Sequence, residues 1–129
     1  MRVLLDTHAL FWWLYFPELL PSAMRDTLAD RDVQVFVSAV SAYEMSYKHH
    51  RGRWPEVEPL VTAFEEVVAA EGFDLLPLSA AQAIRAGAYG PEHRDPFDRM
   101  LAAQAVVEGL MLVSSDKGLK LLGVETTWE

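Results

Sequence analysis

Apolar residues along the chain fall into short runs, separated by longer segments with a helical repeat. Arg2–Leu5 is a brief apolar run closed by Asp6, which predicts a buried strand. Residues 8–16 are apolar and aromatic and stop before Pro17, which predicts a helix. Ser22 is placed to cap a second short helix that reaches Ala29. Residues 33–37 are β-branched and aromatic, a strand pattern. Residues 38–50 predict a helix with Gly52 just past its end. Residues 55–71 are the longest amphipathic stretch: Leu60, Phe64, Val67 and Val68 share a stripe, while Glu58, Glu65 and Glu66 lie off it. A strand at 73–76 follows. Next come a helix at 79–88 capped by Ser79, a loop at 89–94, and a helix from Asp95-Pro96 to Glu108 stopped by Gly109. Strands at 110–113 and 124–127 close the pattern.

Strands that alternate with helices predict an α/β fold, a parallel sheet covered on both faces. Each crossover is expected to be right-handed. No repeat, low-complexity tract or long linker divides the chain, so residues 1–129 read as one domain. No run approaches the ~20 apolar residues that a membrane helix needs, and no cleavage site follows the apolar N-terminal stretch. The expectation is a soluble, cytoplasmic protein with no membrane partner.

In such sheets ligands bind beyond the carboxyl ends of the strands. Four acids fall there. Asp6 ends the first strand, Asp116 follows the strand at 110–113, and Glu44 and Asp98 lie in the first turns of helices that start at the same edge. Each also has a structural explanation. Asp6 can cap the next helix. Ser41-x-x-Glu44 fits a capping box. Asp95-Pro96-Phe97-Asp98 is a sound helix start. Asp116 can open a turn before Gly118. Four carboxylates at one edge repel one another unless cations neutralise them. Mg²⁺, held by carboxylates and by substrate phosphate, suits that arrangement. Two such ions can clamp a phosphodiester during hydrolysis.

Composition narrows the chemistry. There is no cysteine, which excludes thiol catalysis, disulfide scaffolding and Cys-ligated metals. The net charge is −8, which argues against simple coating of nucleic-acid phosphates by a basic surface. It is compatible with an enzyme that binds hard cations through oxygen.

Four segments carry a family resemblance: VLLDTHALFWWL, VSAVSAYEMSYKHHRGRW, HRDPFDRMLAAQA and LMLVSSDKGL. They resemble the PIN-domain ribonucleases, and most of all the VapC-type toxins of toxin–antitoxin pairs. The resemblance runs over nearly the whole chain in the right order, and HRDPFDRMLAAQA is its most specific part. It implies a three-layer α/β/α sandwich with a central parallel sheet of four to five strands. It also implies an endoribonuclease site using Mg²⁺ or Mn²⁺, one or two ions, and leaving 5′-phosphate and 3′-hydroxyl ends. The family's acidic quartet falls on Asp6, Glu44, Asp98 and Asp116, as catalytic residues and metal ligands. Helper hydroxyls fall on Thr7 and Ser114, and Asp95 is a supporting acid. The same resemblance implies a homodimer and a small cognate antitoxin protein. Two other readings stand beside it: a PIN nuclease of RNA processing without an antitoxin, and a non-catalytic RNA-binding or scaffold module.

An acidic nuclease still has to hold RNA. His93, Arg94 and Arg99 flank Asp98 and are candidates to meet phosphate. Lys48 is another, in a basic cluster with His49, His50, Arg51 and Arg53 beside Trp54. Lys48 also lies four residues after Glu44, at ion-pair spacing, and cations at that helix end suit its dipole. Six consecutive bulky apolar residues from Phe11 cannot all face inward on one helix, so some are expected to meet another chain.

Overall fold

A computed structural model describes residues 1–129. Five parallel strands form one sheet: β1 (Arg2–Leu5), β2 (Gln34–Ser38), β3 (Asp74–Leu76), β4 (Met111–Val113) and β5 (Thr126–Thr127), in the order β3-β2-β1-β4-β5. In register, Val3 pairs with Val35 and Met111, and Leu5 with Val37 and Val113. The chain direction reverses its filling order beside β1, so β1 and its neighbours form the switch point at which α/β sheets bind ligands.

Six helices cover the sheet: α1 (Thr7–Tyr15), α2 (Ser22–Ala29), α3 (Ala39–His50), α4 (Glu58–Ala70), α5 (Ala80–Ala88) and α6 (Pro96–Glu108). Strand side chains alternate between faces, and the core divides accordingly. Val3, Leu5, Val35, Val37 and Val113 pack against residues of α1, α2 and α4, including Leu10, Met24 and Leu60. Leu4 and Leu112 pack on the other face against Leu101, Ala102 and Ala105 of α6. This is the three-layer sandwich expected from the sequence, with the larger strand number.

Several boundaries move for physical reasons. The Ser22 hydroxyl does not cap α2; Pro21 occupies the N-cap and Ser22 is the first helical residue. Ser38, not Ser41, caps α3 by accepting from the Val40 amide at 2.9 Å. Glu44 therefore lies in the second turn, and the expected capping box is absent. The stretch at 55–71 is not one helix. A 3₁₀ turn, Pro55–Val57, precedes α4, and Ala63 (φ −143°, ψ 40°) kinks it. Gly109 ends α6 at φ 67°, a left-handed position that glycine adopts at no steric cost, and so turns the chain into β4.

Candidate active site

The carboxyl ends of β1 and β4 and the adjoining helices place the acids. Asp6 follows β1 and caps α1; its Oδ1 accepts from the Ala9 amide at 2.8 Å. Its own amide donates to the Val113 carbonyl at 3.0 Å, which ties it to the end of β4. Asp95 caps α6 by accepting from the amides of Phe97 (2.9 Å) and Asp98 (3.2 Å). Asp98 thus stands in the first turn of α6, where the dipole favours an acid. Asp116 caps a 3₁₀ turn, Lys117–Leu122, by accepting from the Gly118 amide at 2.8 Å.

Two hydroxyls brace this arrangement. Thr7 and Ser41, both buried, share a hydrogen bond of 2.9 Å that joins the start of α1 to α3. Ser114 Oγ accepts from the Asp116 amide at 3.1 Å, and its hydroxyl also bonds to the Asp6 carboxylate. Ser114 therefore links two of the acids.

The electrostatics show which acids crowd one another. Burial pushes the Asp6 carboxyl up from its usual range, and Glu44 adds to the rise; hydrogen bonds from Ser114 and Ala9 oppose it. Burial also pushes Asp98 up, to about 7, with further repulsion from Asp95, Asp6 and Glu44. Asp6, Glu44 and Asp98 thus act on one another through a poorly solvated space. Asp116 is the exception. It is exposed, and the hydrogen bond it shares with His93 (3.0 Å) holds it below the ordinary carboxylate range. Glu44 is buried at 3% exposure and is paired with Lys48 Nζ at 2.5 Å. The same ammonium stands 5.8 Å from the ring centres of both Trp54 and Phe97.

The basic residues divide in their roles. Arg99 sends all five of its N–H groups to main-chain carbonyls: Ala86 twice, and Tyr89, Gly90 and His93 once each. It clamps loop 89–95 and has no donor left for phosphate, a role that residue spacing could not show. Lys48 is occupied with Glu44. Arg94 is exposed on the loop. His93 is turned inward to the acids, 3.7 Å from Asp98 Oδ2 as well as 3.0 Å from Asp116 Oδ2.

A model of the PIN domain family matches residues 3–124. The chain belongs to the PIN domain family. Ribonuclease VapC22 of Mycobacterium tuberculosis (strain ATCC 25618 / H37Rv) is 28% identical over 119 residues, covering 92% of this chain and 89% of that protein. The similarity to VapC-type proteins expected from the sequence is thereby borne out. Solved structures share the PIN fold. One is VapBC2 from Rickettsia felis bound to a DNA fragment from its promoter. It has a TM-score of 0.73 at 14% identity and 100% coverage of both chains. VapBC-1 from nontypeable Haemophilus influenzae has a TM-score of 0.69 at 15% identity, covering 98% of this chain and 97% of that one.

The donor set of this PIN domain suits a divalent cation. Its first-turn and strand-end carboxylates offer hard oxygens, and two of them are raised by confinement, which a cation relieves. No helix is long and apolar enough to cross a membrane.

Proposed function

We propose that this PIN domain is a divalent-cation-dependent endoribonuclease, working in the cytoplasm as the toxin of a toxin–antitoxin pair. One observation carries the reading: Asp6, Glu44 and Asp98 confront one another at the carboxyl edge of the sheet, with Asp98 raised to about 7. Similarity to ribonuclease VapC22 supports RNA as the substrate, and the VapBC complexes among similar structures support a small antitoxin partner.

In this reading Asp6, Asp98 and Asp116 hold Mg²⁺ or Mn²⁺, one or two ions. When bound, the cation supplies a nucleophilic hydroxide near neutral pH and offsets the charge of the scissile phosphate. Glu44, fixed in the second turn of α3, orients the attacking water. Ser114 keeps Asp6 and Asp116 in register, and Thr7 fixes the approach of α1 to α3. Asp95 holds the first turn of α6 and so sets the position of Asp98. Arg94, exposed beside the site, is the residue free to meet RNA phosphate. A homodimer is the expected assembly.

The test is cleavage of RNA by the purified, partner-free protein, with chelator or with added Mg²⁺ or Mn²⁺. Cleavage that needs the metal and falls by about 100-fold or more in Asp98→Asn is the expected result, since that change removes a charge aimed at the reaction centre. Cleavage at an equal rate in chelator would overturn the metal-dependent reading.

A further inference from the structure

Loop 89–95 brings to the site one side chain outside the acidic quartet. His93 Nε2 lies 3.0 Å from Asp116 Oδ2 and 3.7 Å from Asp98 Oδ2. The ligand atoms of His93, Asp98 and Asp116 all fall within 4.8 Å of one another. In octahedral coordination at about 2.1 Å, adjacent ligands stand about 3.0 Å apart and opposite ligands about 4.2 Å apart. The three side chains therefore already hold close to coordination spacing, and a small contraction brings them onto one ion.

Two features make the imidazole available. First, its backbone is fixed without it. Arg99 grips the His93 carbonyl at 2.9 Å and the Gly90 carbonyl at 2.7 Å, so the backbone that carries the ring does not depend on its bond to Asp116. Second, Nδ1 is buried and has no partner. Without a cation the Nε2 N–H donates to the Asp116 carboxylate; on a cation Nε2 would present its lone pair and the proton would sit on Nδ1, which no other group occupies. In either tautomer Nε2 is the ring nitrogen that faces Asp98 and Asp116.

We propose that His93 Nε2 is a direct ligand of the catalytic cation, beside Asp98 and Asp116, and that it inclines the site toward Mn²⁺ over Mg²⁺. This rests on the cation-dependent reading above and adds a ligand to it. Imidazole nitrogen suits transition ions, whereas Mg²⁺ prefers oxygen and water. A quartet of carboxylates alone supplies no such preference. The sequence spacing alone offered His93 to RNA phosphate; its inward placement assigns it to the cation instead.

Pulsed electron paramagnetic resonance on the Mn²⁺-loaded protein decides the matter without reference to activity. The expected result is an echo modulation from a directly bound nitrogen, which changes frequency when the histidines are labelled with ¹⁵N. His93→Gln should abolish that modulation and weaken Mn²⁺ binding by about tenfold or more, with a smaller loss for Mg²⁺. His8→Gln, which alters the exposed imidazole nearest Asp6, should leave the modulation in place. The labelled wild-type spectrum stands even if His93→Gln fails to fold. Mn²⁺ bound with no nitrogen modulation would overturn the His93 assignment and leave the cation reading intact. Wild-type protein that binds Mg²⁺ but no Mn²⁺ would overturn the assignment, and protein that binds neither would overturn both.

Discussion

Asp98 has the most consequential environment of any single residue. Its carboxyl titrates at about 7 in the fold against an ordinary value of 3.8, so between these values the folded protein holds a proton that the unfolded chain gives up. Stability from this group is complete below the lower value and is lost as pH rises through the upper one. Asp98→Asn has no charge to confine. In the absence of metal its melting temperature should therefore exceed that of the wild type by a margin that widens between pH 5 and pH 8. A thermal-denaturation series would show this, and added Mn²⁺ should narrow the margin by stabilising only the wild type. Arg99 gives the opposite case. Replacing it with Met strands four carbonyls and removes a charge held by them, at a cost of about 2–4 kcal/mol by denaturant titration. Because that clamp also sets the His93 backbone, the variant should lose Mn²⁺ affinity as well. Three of the four acids stand where the sequence placed them, at a strand end or a helix start, whereas Glu44 lies a turn further along α3. The task of Arg99 was not legible, since nothing in HRDPFDR says that its guanidinium turns back on the preceding loop.

Among the elements, α1 shows how a run of apolar residues divides on folding. Phe11 is buried, Trp12 and Trp13 are half-buried, and Tyr15 and Phe16 are 39% and 43% exposed. Trp12 meets Trp128 edge to face at a centroid distance of 5.6 Å, and Trp13 donates from Nε1 to Glu71 Oε1 at 2.7 Å. The helix thus has an inner end tied to the core and an outer end open to a partner. Trp13→Ser should lower stability by about 2–3 kcal/mol, since it removes apolar contact against the core and the bond to Glu71. Phe16→Ser should leave the melting temperature within about 2 °C, because surface changes stay within about 0.5 kcal/mol. It should still weaken binding of a co-expressed antitoxin in a pull-down or by calorimetry. Equal stability losses in the two variants would show that no free end exists. Periodicity gave the existence and type of these elements. It missed the break at Ala63 and the 3₁₀ turns, because no spacing of apolar residues marks them.

At the scale of the whole molecule, a net charge of −8 surrounds an edge that the proposed function brings against a polyanion. In the proposed function, cations held by the quartet reverse that sign locally and let phosphate approach. The sheet order was not legible from the strand pattern, because runs of four apolar residues specify burial but not neighbours. That order, β3-β2-β1-β4-β5, also governs when the site can come into being. β1 is made well before β4, its neighbour more than a hundred residues further along. Until β4 arrives, the Asp6 amide has no Val113 carbonyl to receive it, and Asp116 has not been synthesised. Domains assemble during synthesis only as far as the emerged chain allows. A nascent chain that has not yet reached β4 therefore carries half a cleft, and whatever chemistry the complete edge performs is withheld until residues 111–116 have emerged.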